Sequence, residues 1–337
     1  MSQPERLHRT HGPWVDIHAH PGRCFLGGLE ASSPFVQVLG AEESAASVAS
    51  ARRGEVAVVN ASTVADLAVI GPSASGGLRA VRDFEPGEAR SDHDRQLYAL
   101  AGLTAEPTVG SVLCADDIVV AHDSGVPGVF VSCEGADFLD GSLGGLADAH
   151  QLGARSITLV HYRINELGDI QTEDETHGGL TDFGRDVVAE MNQLGMIIDL
   201  AHGTFATTTD VLEISSQPIM ISHSHLASPG ADHPRLLSEE HARVVASAGG
   251  LIGAWPSGVV AEDLGDYCDE ICRLIDVVGV DHVAIGTDLD ANYRPVLTRY
   301  EQFPELAARL GDRGLDVGDV DKVLGGNFIE LFRTVAG

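Results

Sequence analysis

A TIM-type (β/α)8 barrel is the fold this sequence predicts, and three observations carry the prediction. Short apolar segments alternate with helical patterns about eight times along the chain. The clearest of these segments run without polar alternation, as strands buried on both faces do. No Gly-x-Gly-x-x-Gly follows the first of them, which an open doubly wound sheet binding a dinucleotide would want. Parallel strands need long crossovers, and helices are the usual ones.

In chain order, the first strand is expected over 14–20, stopped by the breakers Pro21 and Gly22. Residues 24–55 have weak periodicity and read as helix and loop. The β-branched run 55–62, bounded by Gly54, is a second strand. Residues 71–91, rich in Gly, Pro, Ser and charge, read as a surface loop, with helices following at about 92–102 and 113–124. The segment 126–134 is a strand ending in Glu134. From there the alternation is regular. A helix at 143–152 leads to strand 156–161, an acidic loop to Gly179, helix 182–194 stopped by Gly195, and strand 196–202. Helices 206–215, 238–248 and 265–278 precede strands 218–223, 250–255 and 282–288. A last helix near 318–335 starts at a cap close to Asp316.

At 337 residues the chain fits one large domain or two ordinary ones. No linker interrupts the alternation, so a single domain over 1–337 is expected, with 1–12 a flexible extension. A formal charge of −29 argues against nucleic acid and anionic membrane as partners. No apolar run approaches the roughly 20 residues of a membrane span, and no signal-peptide core is visible at the N-terminus, so cytoplasm is the expected compartment. Five scattered cysteines read as reduced core residues, Cys268 and Cys272 sharing a helix face.

Chemistry enters at the strand ends. Six of the seven clearest strands finish in a histidine or carboxylate: His18 and His20, Glu134, His161, His202, His223 and Asp288, with Trp255 closing another. In a parallel barrel these ends share one face. Two divalent ions about 3.5–4 Å apart need a bridging carboxylate, imidazoles on each side and open positions for water. Glu134 suits the bridge, His18 and His20 one ion, His202 and His223 the other. A carbamylated-lysine bridge is closed off, because the single lysine, Lys322, lies in the terminal helix. Water shared by two cations ionises near neutral pH and becomes a nucleophile.

The segments Gly179-Leu-Thr-Asp-Phe-Gly184, Glu190-Met-Asn-Gln-Leu-Gly-Met-Ile-Ile-Asp-Leu-Ala-His202, Ser222-His-Ser, His233-Pro-Arg235, Asp281-His-Val-Ala-Ile-Gly-Thr-Asp288 and Leu324-Gly-Gly-Asn-Phe328 resemble the membrane (renal) dipeptidase family of the amidohydrolase superfamily. The resemblance implies a metallo-dependent hydrolase barrel with two divalent ions, zinc foremost. It also implies a homodimer, and hydrolysis of dipeptides by a metal-bridging hydroxide. Its metal ligands fall on His18, His20, Glu134, His202 and His223. Its substrate-contacting histidine falls on His161, its carboxylate-binding arginine on Arg235 and its proton-handling aspartate on Asp288. Two departures bear on substrate and metal: His-x-His stands where the family has His-x-Asp, and Gly135-Ala136-Asp137 where it has Gly-Gly-His. They leave open another hydrolase acting on N-acyl amino acids, lactones or cyclic amides. A non-catalytic metal-binding scaffold is disfavoured, having no need of Asp288. His225, His233 and His241 are expected exposed or ordering loops, His8 and His11 in the flexible N-terminus, and 172–176 a solvated loop over the pocket mouth.

Overall fold

The computed structural model describes residues 11–40, 42–73, 77–227 and 233–336. Its strands are β1 (Trp14–Asp16), β2 (Val56–Val64), β3 (Ile70–Pro72), β4 (Leu78–Ala80), β5 (Gly110–Ser111) and β6 (Gly128–Glu134). There follow β7 (Ala154–Thr158), β8 (Ile197–Asp199), β9 (Met220–Ser224), β10 (Leu251–Ala254) and β11 (Val283–Ile285). Eight of them lie side by side in the order β1-β2-β6-β7-β8-β9-β10-β11, every pairing parallel. The ends of that row meet: Ile17 N donates to Ile285 O at 3.0 Å and Asp288 N to His18 O at 2.8 Å. The result is a (β/α)8 barrel.

The helices are α1 (Pro34–Leu39), α2 (Ser44–Arg53), α3 (Glu88–Thr104), α4 (Ala115–Ser124), α5 (Gly144–Gln151) and α6 (Asp182–Leu194). The remainder are α7 (Phe205–Ile214), α8 (Glu239–Ser247), α9 (Leu264–Val278), α10 (Phe303–Asp312), α11 (Val317–Asp321) and α12 (Asn327–Ala336). Several begin where a side chain replaces the missing backbone acceptor. Thr181 accepts from Gly184 N, Thr204 from Thr207 N, Ser238 from His241 N and Asp316 from Asp319 N. None among the described residues is long and apolar enough to cross a membrane.

Two apolar layers hold the barrel. The larger lies between strands and helices, with Leu97, Ile157, Val187, Tyr267 and Leu306 fully buried in it. The smaller fills the N-terminal end of the strands: Val15, Phe130, Ile197 and Met220 meet Phe328 and Phe332 of α12. Phe130 lies edge-on to both phenylalanine rings, at 5.2 and 5.3 Å.

The structure departs from the sequence-based expectation in places. The ladder of β1 stops at Asp16, and β11 at Ile285, both short of their expected ends. Residues 71–91 are not one loop: β3 and β4 pair antiparallel, and α3 already begins at Glu88. The helix α10, with Pro304 in its first turn, was not anticipated. The last helix is interrupted over 322–326, because Gly325 sits so close to the Pro13 carbonyl that a Cβ there would collide with it. Of the expected extension 1–12, residues 1–10, His8 among them, lie outside the described residues. His11, by contrast, stacks on Trp14 with ring centroids 3.9 Å apart, and Gly12 N donates to Asp321.

Candidate active site

Glu134 is the last residue of a strand buried along its whole length, and five imidazoles close around its carboxylate. Its Oε1 lies 3.4 Å from His18 Nε2, 3.1 Å from His202 Nε2 and 3.5 Å from His223 Nε2. Its Oε2 lies 3.3 Å from His20 Nε2 and 3.5 Å from His161 Nε2. The structure thus brings together His18, His20, Glu134, His161, His202 and His223, and all are buried. Two sets have ligand atoms within 4.8 Å of one another: His18, His20 and Glu134, and Glu134, His202 and His223. Asp288 joins at the edge, its Oδ1 3.4 Å from His20 Nε2 and its Oδ2 accepting from Trp255 Nε1 at 3.2 Å.

Local structure aims these side chains. Past the end of β1, Asp16 is engaged by Thr287 N (2.9 Å) and the Tyr300 hydroxyl (3.0 Å), which pins the turn that carries His18 and His20 inward. His202 and Asp288 have φ of 69° and 56°, the left-handed region that non-glycine residues seldom adopt. Below His202, Asp199 accepts from Ala201 N, Ser222 N, Ser222 Oγ and Thr158 Oγ1. The Ser222 proton is thereby committed to Asp199, so its oxygen accepts from His223 Nδ1 at 3.0 Å. His20 Nδ1 likewise donates to Ser62 O at 3.1 Å. Both histidines are left with Nε2 facing Glu134, the tautomer a metal ligand needs.

The titration pattern separates the two sides. Burial, with Arg235 and His18 adding to it, holds His202 and His223 well below the ordinary imidazole range. Burial opposes the charge on His20 and His161 too. There the nearby acids win, Asp288 foremost for His20 and Asp66 for His161, and both are raised. Burial also resists ionisation of Glu134, but the imidazoles of His161 and His18 overcome it and keep the carboxyl well below its usual range.

The donor set fits divalent cations. His18 Nε2 and His202 Nδ1 make no hydrogen bond although both are buried, and the Nε2 atoms of His202 and His223 point at each other 3.2 Å apart. Lone pairs converging like this, around a carboxylate with two free edges, are stabilised by a cation between them.

Arg235 is 1% exposed. Its Nη1 donates to Gln171 Oε1 at 2.7 Å and its Nη2 to His223 Nε2 at 3.0 Å, with Trp255 5.8 Å from the guanidinium carbon. Among the described residues it enters no ion pair, and its Nε is unbonded. A buried guanidinium without a carboxylate is costly, and an anion binding beside it would relieve that cost.

Several contributors were not singled out from sequence. Asp66, buried two residues beyond β2, accepts from His161 Nδ1 at 2.7 Å and Tyr162 N at 2.9 Å. Gln171 steadies Arg235 through its side chain, and its backbone N–H donates to His202 O. Asp137, at the Gly-Ala-Asp departure, pairs with Arg163 at 2.8 Å; burial, with Asp66 adding, raises its carboxyl to about 6. Two expectations are corrected. His241 is buried, its Nε2 on Thr208 Oγ1 at 2.8 Å, because it lies on the inner face of α8. His225 is buried against the Tyr267 ring, because its loop folds back beneath α9. His233 is exposed, as are residues 173–176 of the acidic loop.

A sequence profile of the membrane dipeptidase family (peptidase family M19) matches residues 82–337. The chain belongs to that family. A dipeptidase of Aspergillus oryzae is 33% identical over 224 residues, 64% of this chain and 53% of that protein. The chain therefore spans about half the length of such a relative. An amidohydrolase from Pseudomonas aeruginosa superposes with a TM-score of 0.75 at 22% identity, over 96% of this chain and 97% of that one. A metallopeptidase from Rhodobacter sphaeroides, solved with a phosphinate mimic of L-Ala-D-Ala, has a TM-score of 0.75 at 20% identity, over 96% and 99%. Both solved structures share the barrel, while His18 and His20 lie ahead of the residues that the family profile matches.

Proposed function

We propose that this chain is a metal-dependent dipeptidase. The observation that carries the reading is a buried Arg235, with no carboxylate partner among the described residues, beside a glutamate ringed by five imidazoles. His18, His20 and Glu134 would hold one divalent ion and Glu134, His202 and His223 a second. Zinc suits this imidazole-rich set, and such a pair, when bound, polarises a peptide carbonyl and acidifies water.

The residues around that pair divide the remaining work. Arg235 binds the substrate's terminal carboxylate, for which a planar two-pronged donor is well shaped. His161, its Nδ1 on Asp66 and its pKa raised by that carboxylate, would offer an Nε2–H to the oxygen of the scissile carbonyl as negative charge builds there. Asp288, steered by Trp255, accepts the proton of the attacking water and passes it to the leaving amine. His20 in place of an aspartate adds about one positive charge to the first set and shifts its preference among metals.

The test is a metal analysis joined to a substrate panel. Protein loaded with zinc is expected to bind two ions per chain, to cleave dipeptides, and to lose both ions and turnover to a chelator. Cleavage of N-acetyl amino acids in preference to dipeptides would replace this reading with that of an N-acyl amino acid hydrolase.

A further inference from the structure

The cup around Glu134 opens into a cavity of about 310 Å³ whose two walls differ in kind. One is polar, with Arg235 over Trp255. The other is apolar, built from Phe25, Leu39, Val64, Leu67, Ile70 and Leu78. Phe25, Val64 and Leu67, with Leu26, form an apolar cluster separate from both layers of the barrel core. At its outer edge Leu39 and Leu78 remain 41% and 42% exposed, and α1, which carries Leu39, buries none of its side chains fully. Apolar surface gathered at a pocket mouth marks a place where a ligand covers it.

Topology sets which part of a substrate meets this wall. Val64 ends β2, which stands four places from β9 in the ring of eight, and four places is the diameter. Arg235 follows β9 and touches its His223. The Phe25 ring lies edge-on to His20 at 5.3 Å, so the wall begins at the reacting centre. A dipeptide with its carboxylate on Arg235 and its carbonyl over Glu134 must send its first residue toward β2. All six wall residues precede residue 82, where the family match begins.

We infer that the Phe25–Leu39–Val64–Leu67–Ile70–Leu78 wall is the subsite for the side chain of the substrate's first residue, and that it selects a large apolar one. The inference rests on the dipeptidase reading, which supplies the orientation. Dipeptides beginning with Leu or Phe are then good substrates, and those beginning with Gly or Asp poor ones.

The experiment measures kcat/KM of the zinc-loaded protein for Gly-Ala, Ala-Ala, Leu-Ala, Phe-Ala and Asp-Ala. In parallel, calorimetry measures binding of the phosphinate isosteres of Leu-Ala and Gly-Ala, which needs no turnover. Leu-Ala is expected to exceed Gly-Ala by about tenfold or more in both readouts. Leu78→Asp should erase most of that ratio, while Val81→Asp, on the same hairpin but off the cavity, should preserve it. Equal values across first-residue size, or a ratio untouched by Leu78→Asp, would overturn the inference. Absent turnover with tighter binding of the Leu-Ala isostere would uphold the wall and sink the dipeptidase reading instead.

Discussion

At their N-terminal ends the barrel strands present Val15, Phe130, Ile197 and Met220 to the phenylalanines of α12. At their C-terminal ends the same strands, and the turns that follow them, present five imidazoles and two carboxylates to one another. The first end is complete as it stands, since apolar side chains need no partner beyond close packing. The second holds buried polar atoms with nothing to bond, His18 Nε2 and Arg235 Nε among them, and two backbones in the left-handed region. One end stabilises the barrel, and the other draws on that stability to keep a reactive arrangement in place.

Substituting the carboxylate that all five imidazoles face tests this division most severely. Glu134→Gln should lower turnover by about four orders of magnitude, on the order of 5 kcal/mol, and reduce bound metal below two ions per chain. In metal-free protein the same change should also lower unfolding free energy, because the imidazoles lose the carboxylate that they hold well below its usual range. Denaturant titration in a chelator is the check, and unchanged stability there would mean that the imidazoles do not hold Glu134 as a buried anion.

The opposite end should respond in the opposite sense. Phe328→Ala removes a fully buried ring that packs on Phe130 and Phe332, and should cost about 3–5 kcal/mol of stability. Metal content and kcat of the folded fraction should stay near wild type. Arg235→Ala comes next, with an expected fall in kcat/KM for dipeptides of about 10²-fold, near 3 kcal/mol, carried mostly by KM. Two ions per chain should remain, so loss of metal would assign Arg235 to the centre itself.

How far the sequence anticipates these two ends follows from how locally each is encoded. Imidazoles and acids at the ends of apolar runs, each followed by a turn, are visible because strand period and breaker lie within a few residues of each other. That is why His18, His20, Glu134, His202 and His223 stand out. Asp66 does not, since it follows β2 in a stretch without clear periodicity, and only its approach to His161, two strands along the ring, gives it meaning. His225 and His241 look like surface histidines until Tyr267 and Thr208 are placed beside them. The β3–β4 hairpin hides among glycines and a proline that ordinarily mark loops, and the break in the last helix depends on Pro13, more than three hundred residues away.

Asp66 offers a finer test, of an effect acting through a neighbour. As a positioning residue it fixes the His161 ring and raises its pKa, so Asp66→Asn should lower kcat by about 10–100-fold with KM and metal content little changed. Asp66→Glu, if it restores the bond to Nδ1, should recover part of the loss. A matching fall in thermal stability without loss of kcat would reduce Asp66 to a structural tie.

The smallest effect lies outside the site and concerns acid stability. His93 is fully buried, stacked on Phe138 with ring centroids 3.6 Å apart, and neither of its nitrogens is bonded. Burial, with Arg90 adding to it, pushes its pKa down to about 3 from an ordinary value of 6.5. The unfolded chain therefore binds a proton that the folded chain refuses. This contribution is fully present above about pH 6.5 and is lost as pH falls toward 3, at about 1.4 kcal/mol per pH unit. His93→Phe keeps the stack and removes the proton site, so it should flatten the fall in unfolding free energy between pH 6.5 and 4.5 by about that slope. A parallel fall in both proteins would mean that some other group carries the acid sensitivity of this side of the barrel.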